Sequence, residues 1–363
     1  MRAAVPSYMR DMEQAPPGHR FTLYFAGWDE NWSLADTQKR ETLSGIQLRL
    51  DDLRCRDALI ERQRAQGERI GGALFSIVAQ STAPFVTGLG YEHPLENGFA
   101  FLNPYGLPYL PGSSVKGVLR KAAEELVLGG EAQGFDMLDV WRLFGFDGNA
   151  AFLNEVERIQ NVLADQARLE KWLKKVLPKA FKQKGLDDPQ AFLTSLPKNN
   201  ALRRSLFNMG ALSFWDVFPQ GKLTIEIMTP HHANYLQKGG TPHDSEKPNP
   251  IPFLAVAPGA KFHFFVQQIG DIGDCDWRDV LIQCFQHAFD WLGFGAKTSV
   301  GYGAMREDPR ERERRLAEEE RRRQEEKERR LREEQERKRR EEEERRRREF
   351  EALPEHERVL VQA

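Results

Sequence analysis

"PGSSVKGVLRKAAEELVLGG" occupies residues 111–130. Val115, Val118, Leu119, Ala122, Ala123, Leu126 and Val127 recur at helical spacing, and Gly129-Gly130 ends the run, so an amphipathic helix is predicted here. Upstream, "ALFSIVAQ" (73–80) and "GFAFLN" (98–103) read as strands, separated by the glycine-punctuated loop "FVTGLGYEHPLENG" (85–98). Downstream, "GALSFWDVFP" (210–219) and "KLTIEIMT" (222–229) read as a hairpin closed at Gln220-Gly221, and "KFHFFVQQI" (261–269) as a further strand. A second helix carries Trp277, Val280, Leu281, Cys284, Phe285, Ala288, Phe289 and Leu292 on one face. It runs into "GFGAKTSVGYGAM" (293–305), strand-like from Val300 onward. Strand, helix, hairpin, helix, strand is the βαββαβ order of an α+β, ferredoxin-like (RRM-like) sheet, although other α+β folds share parts of it.

The remaining segments hang on that frame. Residues 1–20 read as a flexible arm, "FTLYFAGW" (21–28) as a strand, and Leu34 to Arg64 as an amphipathic helix. Residues 135–205 are helical and lysine-rich, notably "KWLKKVLPKAFKQKG" (171–185), and read as an insertion. Residues 230–252 form a long loop of turn formers, a kind of segment that in compact domains is functional or disordered.

The chain has 363 residues and a net charge of −2, so no overall field favours or repels an anionic partner. Residues 309–351 concentrate 19 Lys+Arg and 17 Asp+Glu, leaving an ordinary 34 and 38 over the other 320 residues. Basic patches must therefore be sought locally. Three cysteines, Cys55, Cys275 and Cys284, without a CxxC, argue against a disulfide framework and a cysteine-rich zinc site and suit a reducing compartment. No signal peptide or apolar run of about 18 residues is present, so a cytoplasmic chain is expected.

The helix start nearly spells a phosphate loop. Gly112 and Gly117 have the right gap, but Val118 and Leu119 stand where G-x-x-x-x-G-K-[ST] needs Lys and Ser/Thr, so nucleotide hydrolysis of that type is excluded. Two readings stay open. Ser113 or Ser114 caps the helix, and Lys116 and Arg120, four apart on one face, meet successive phosphates of a backbone beside the helix N-terminus. Alternatively, this is a well-capped surface helix with two solvated cations.

The second element is "GFGAKTSVGYG" (293–303). Gly293, Gly295, Gly301 and Gly303 frame Lys297, Thr298 and Ser299, which offer amides, hydroxyls and a cation to a phosphate chain, and Tyr302 adds a ring for a base. The segment is not a dinucleotide fingerprint, because Thr298 replaces the third glycine and a helix, not a strand, precedes it. A flexible connection is the plain alternative.

Together, "LPYLPGSSVKGVLR" (107–120) and "GFGAKTSVGYG" resemble the RAMP superfamily of CRISPR-associated RNA-binding proteins, in which a G-S-S-x-K-G-x-x-R helix start and a late glycine-rich loop hold the same slots. The fuller string from Val86 to Arg120 and the later "TPHHANY" and "PIPFLAV" resemble, within that superfamily, subunits of the type III-B (Cmr) effector. The resemblance covers about residues 70–305. It implies a RAMP domain over 21–308, a guide-RNA-binding scaffold near the 3′ end of the CRISPR RNA, and other Cmr RAMP and small helical subunits as neighbours. Target RNA is met through the guide, and no membrane, metal or cofactor is implied. Gly112, Ser113, Ser114, Lys116 and Arg120 would meet the guide backbone from one side, and Gly295, Lys297, Thr298, Ser299 and Tyr302 from the other. Phosphate contacts of this kind position an RNA without reading its sequence.

His231 and His232, with His243 and Asp244 beyond, lie in the long loop. They bond locally or touch RNA; alternatively, His231 or His232 makes this a RAMP-fold endoribonuclease by acting as general acid or base. No compact ligand spacing supports a metal site there. The expectation is a non-catalytic subunit. The charged segment 309–351 pairs Glu and Arg four apart and reads as a long single helix, with 352–363 as its tip. Leu316 and Leu331 are too few for a coiled-coil seam, so the helix is a spacer or reaches a neighbour. A protein-interaction adaptor built on this helix would leave Lys116 and Lys297 without a role.

Overall fold

The computed structural model describes residues 3–6, 8–9, 12–34, 36–163, 165–206, 208–229 and 250–352. In chain order the N-terminal part holds α1 (Pro17–Phe21), α2 (Asp36–Ser44), α3 (Leu50–Ile70), β1 (Leu74–Ser81), β2 (Phe101–Leu102), β3 (Leu107–Pro108) and α4 (Gly112–Gly129). A run of short helices follows: α5 (Met137–Phe144), α6 (Val156–Val162), α7 (Gln166–Val176), α8 (Lys179–Lys182), α9 (Pro189–Ser195) and α10 (Asn200–Ser205). Then come β4 (Leu212–Phe214), β5 (Leu223–Met228), β6 (Ile251–Val256), β7 (Lys261–Gln268), α11 (Trp277–His287), β8 (Met305–Glu307) and α12 (Pro309–Ala352). The chain falls into two compact units, Met1–Asp308 and Pro309–Ala363.

The first unit is a mixed helix-and-sheet structure around an antiparallel four-stranded sheet, ordered β4-β7-β1-β8. Strand β1 buries Phe75, Ile77, Ala79 and Ser81 on one face, the period of two that its sequence spells. In register with them on β7 stand Val266, Phe264 and Phe262. The buried faces of α4 (Val115, Leu119, Ala122, Ala123, Leu126) and α11 (Trp277, Val280, Leu281, Cys284, Phe285) belong to the same core. Phe264 joins Phe285, Phe289 and Phe294 in an aromatic cluster with centroids 5.0–6.3 Å apart. Removing each such ring from water contributes about 1.5–3 kcal/mol. Gly130, left-handed at φ 73°, ends α4.

Several segments differ from the sequence reading. Residues 298–303 form a 3₁₀ turn and a further turn, so the strand expected from Val300 begins only at Met305. Four others differ for local reasons. Residues 210–229 do not close on themselves: β4 pairs with β7, whereas β5 pairs with β6 in a separate two-stranded ribbon. Between them Val217 bridges Leu110, which draws the chain out of the hairpin path. Strand β6 begins at Ile251, inside what the prolines suggested was loop; Pro252 is tolerated because a two-stranded ribbon leaves one edge of each strand unpaired. The stretch 21–28 is not a strand, since Pro17 at the first helical turn starts α1 and Phe21 packs flat on His93 at 3.9 Å. The helix expected over 34–64 is broken at residues 45–49, where Arg20 takes the Gly45 and Gln47 carbonyls as acceptors. The ordered N-terminal segment thus begins before residue 21.

In the second unit α12 is one helix of 44 residues, about 66 Å at 1.5 Å per residue. Ion pairs four residues apart line it, among them Glu334–Lys338 at 2.8 Å and Arg339–Glu343 at 3.2 Å.

Candidate nucleic-acid interface

The start of α4 is seated on β4. A Cβ at Gly112 would stand 2.0 Å from the Phe214 carbonyl oxygen, so only glycine admits this approach. The Gly112 N–H donates to Asp216 Oδ1 at 2.8 Å. Pro111 is the N-cap and makes no side-chain capping bond, and Ser113 and Ser114 are exposed in the first turn. The expected serine cap is therefore replaced by an aspartate 104 residues downstream. Tyr109 lies beside Asp216 and Tyr91, and its phenol is pushed above the usual range first by burial and then by these neighbours.

Lys116 and Arg120 do share one face, and each has an internal partner. Lys116 Nζ donates to the Met209 carbonyl at 2.6 Å. Burial holds this ammonium below the usual lysine range, and neighbouring Arg120 adds to the effect. Arg120 is paired with Asp147 at 2.7 Å and with Glu124 at 3.9 Å, tying α4 to the loop after α5.

The glycine-rich loop is built differently. Gly293, Gly295, Gly301 and Gly303 all have positive φ, as does Lys297 at 58°. Two of the glycines serve packing rather than ligand approach: a Cβ at Gly295 would meet the Val86 carbonyl oxygen at 2.2 Å, and one at Gly303 the Phe294 carbonyl oxygen at 1.8 Å. The Ala296 and Gly303 N–H groups donate to the Val86 and Pro84 carbonyls, which clamps the loop to the segment that follows β1. The tip, Thr298–Val300, is a single 3₁₀ turn that presents Ser299 and Val300 to solvent. Lys297 Nζ lies 2.9 Å from Met228 Sδ and 5.9 Å from the Phe253 ring centroid, over the β5–β6 ribbon. Tyr302 also faces the ribbon, donating to Glu226 Oε2 at 3.2 Å with its ring beside Phe253.

The two motifs are not brought together. One is seated on β4 and the other leads into β8, the opposite edge strands of the sheet. Three strand spacings of about 4.8 Å separate those edges, about 14 Å. His231, His232, His243 and Asp244 lie outside the described residues. Among the described residues, no group of three or more His, Cys, Asp or Glu is arranged to hold a metal ion. Burial pushes the Cys275 thiol up to about 12 and raises Cys284 as well, so neither offers a thiolate. Asp216, Met209, Asp147 and Glu226, which hold the Gly112 N–H, Lys116, Arg120 and Tyr302, carry no sequence signal; each is joined to its partner only by the fold.

Comparison with known proteins follows the same residues. A profile of the RAMP superfamily matches residues 78–306, which include both motifs. The Cmr subunit Cmr6 of the CRISPR system of Pyrococcus furiosus is 27% identical over 233 residues, 61% of this chain. The match spans 64% of the length of that relative. Among solved structures, a chain of the type III-B Cmr-beta complex bound to cognate target RNA is 16% identical, with a TM-score of 0.47, covering 75% of this chain and 72% of its own. The crystal structure of Cmr6 from Pyrococcus furiosus is 24% identical with a TM-score of 0.31, covering 65% and 98%. With the profile match spanning well over half of its length, this chain belongs to the RAMP superfamily.

Proposed function

We propose that this chain is a non-catalytic, guide-RNA-binding scaffold subunit of a type III-B CRISPR effector. It contacts the CRISPR RNA backbone near its 3′ end and adjoins other Cmr subunits in the cytoplasm. The observation that carries the reading is that one superfamily match spans two basic motifs, each held rigidly by glycines that the packing demands. The strand order β4-β7-β1-β8, with α4 after β1 and α11 after β7, supports a ferredoxin-like RAMP domain over 21–308. In this reading the helices of 135–205 are an insertion, and 309–351 is a charged single helix that carries the tip 352–363.

The rigid tip at Thr298 and Ser299 offers two hydroxyls, and Lys297 and Lys116 offer cations on fixed backbone, an arrangement that positions phosphates without reading bases. Purification of the tagged chain from its native host at moderate salt is expected to bring down short RNAs sharing one repeat-derived 5′ tag, together with sister subunits. Lys116→Ala with Lys297→Ala is expected to lose that RNA, and the purified chain to leave a precursor guide uncut. A heterogeneous smear, or no RNA, would overturn the reading.

A further inference from the structure

The helical insertion builds a cleft of about 590 Å³ on the α4 side of the first unit. Its walls are α5, α7 and the loops 208–211 and 270–274. Arg142 of α5 and Lys171 and Lys175 of α7 line it, the two lysines one helical turn apart. Residues 165–186 carry seven Lys+Arg against two Asp+Glu, so the element bordering the cleft is strongly cationic.

The partners inside the cleft are unequal. Arg168 is taken by Asp136 and Asp139 at 2.7 and 2.8 Å, and Lys175 by Asp271 at 2.7 Å. Among the described residues, Arg142 and Lys171 make no side-chain hydrogen bond or ion pair. The Arg142 guanidinium lies against Gly273, where a Cβ would stand 1.4 Å from Nη1; glycine there leaves room for the fork. Met209, whose carbonyl receives Lys116, also lines the cleft, so the first-turn cation of α4 borders it. Arg142 and Lys171 line the cleft, with Lys116 bordering it through Met209. Among the described residues, Asp274 is the lining carboxylate without an ion pair, while Asp271, paired with Lys175, also feels Arg142.

We infer that this cleft is a second site for RNA backbone phosphates, continuous with Lys116 and contributed by the insertion. An unpaired planar guanidinium beside a helical lysine matches the fork geometry that phosphate oxygens accept. A protein partner would instead look for an apolar anchor pocket, and here the large aromatic of the lining, Trp172, is 5% exposed. The inference rests on the RNA-binding reading above, and the test separates the two.

Binding of a fluorescein-labelled single-stranded RNA to the full chain is followed by anisotropy across a salt series. Three proteins are compared: wild type, Arg142→Gln with Lys171→Gln, and Lys116→Ala with Lys297→Ala. Loss of two phosphate contacts makes the slope of log K against log salt shallower by about 1.4, at about 0.7 per contact on a single strand. Lys171→Gln alone, at an exposed and unpartnered position, is expected to give half that change, which guards against misfolding of the double variant. An unchanged slope in the insertion variants, while the Lys116 and Lys297 pair weakens binding, overturns the inference and leaves the RNA-binding reading standing. RNA retained at full affinity with a sister subunit lost from the complex makes the cleft a protein interface and also overturns it. No binding by wild type removes both.

Discussion

The start of α4 and the glycine-rich loop both read as phosphate-facing motifs, yet they are held in opposite ways. At α4 the backbone fits by one close approach, Gly112 on Phe214, and the cations are tethered to Met209, Asp147 and Glu124. In the loop nearly every residue of the path is fixed by backbone, through positive φ and donation to Pro84 and Val86, while the hydroxyl-bearing tip stays open. A basic motif can thus be presented either by restraining its side chains or by restraining its main chain. The second leaves the tip groups ready for a ligand without first breaking an internal bond.

The sharpest way to break that contrast is to add one methyl group to each. Gly303→Ala meets both a clash at 1.8 Å and a φ of 70°, and is expected to cost roughly 3–5 kcal/mol, combining overpacking with left-handed strain. Gly112→Ala meets a clash alone and is expected to cost about 1–3 kcal/mol. Urea unfolding of both variants measures the gap; equal losses would mean that the strained main chain of the loop contributes nothing.

Acid distinguishes the two edges by a different route. His263 on β7 is buried, with Nε2 donating to Gln220 Oε1 at 2.8 Å and Nδ1 facing Arg64 Nη2 at 3.3 Å. Gln220 in turn donates to Asp57, which joins α3 to the β4 side of the sheet. Burial above all, then Arg64 and Lys261, holds the imidazole down to about 4, against opposing pulls from Asp308 and Asp57. The folded value is depressed, so the neutral ring contributes its full stability above about pH 6.5, and this is lost as pH falls toward 4. By pH 5 the loss is about 2 kcal/mol. Hydrogen exchange at pH 5 is expected to open residues 214–220 before 293–303, and His263→Gln to flatten the dependence. The smallest effect expected is from Lys297→Ala on folding, under about 1 kcal/mol for its contacts with Phe253 and Met228. A larger loss would make this lysine a structural post rather than a free cation.

The legible parts of the fold were those with a clear period and punctuated ends. β1 alternates at two residues and α4 and α11 repeat at 3.6, so their faces were readable, while β7, buried on both faces, was readable only as a short apolar run. Pairing partners were not. Met228 meets Ile251 across a long sequence separation, and the nearer β4 looked like a better mate only because local turn chemistry carries no information about distant registers. The aromatic run 21–28 misled in the other direction, because a helix started at Pro17 ends on its first residue, Phe21. At the candidate site, the positions of Lys116, Arg120 and Lys297 were readable as motifs. Their restraints were not, because Asp147, Met209 and Met228 come from other elements. The cationic cleft was equally hidden: its lysines stood out in composition, but Arg142 joins them only through the packing of α5 against α7.

The four-stranded sheet has two central strands of eight residues and two outer ones of three. Outer strands this short offer little backbone for another chain to extend, which is how natural sheets avoid indiscriminate polymerisation. A sheet edged this way leaves contacts with other molecules to side chains on the helices and loops. Such residues can change one at a time, without dismantling the scaffold that displays them.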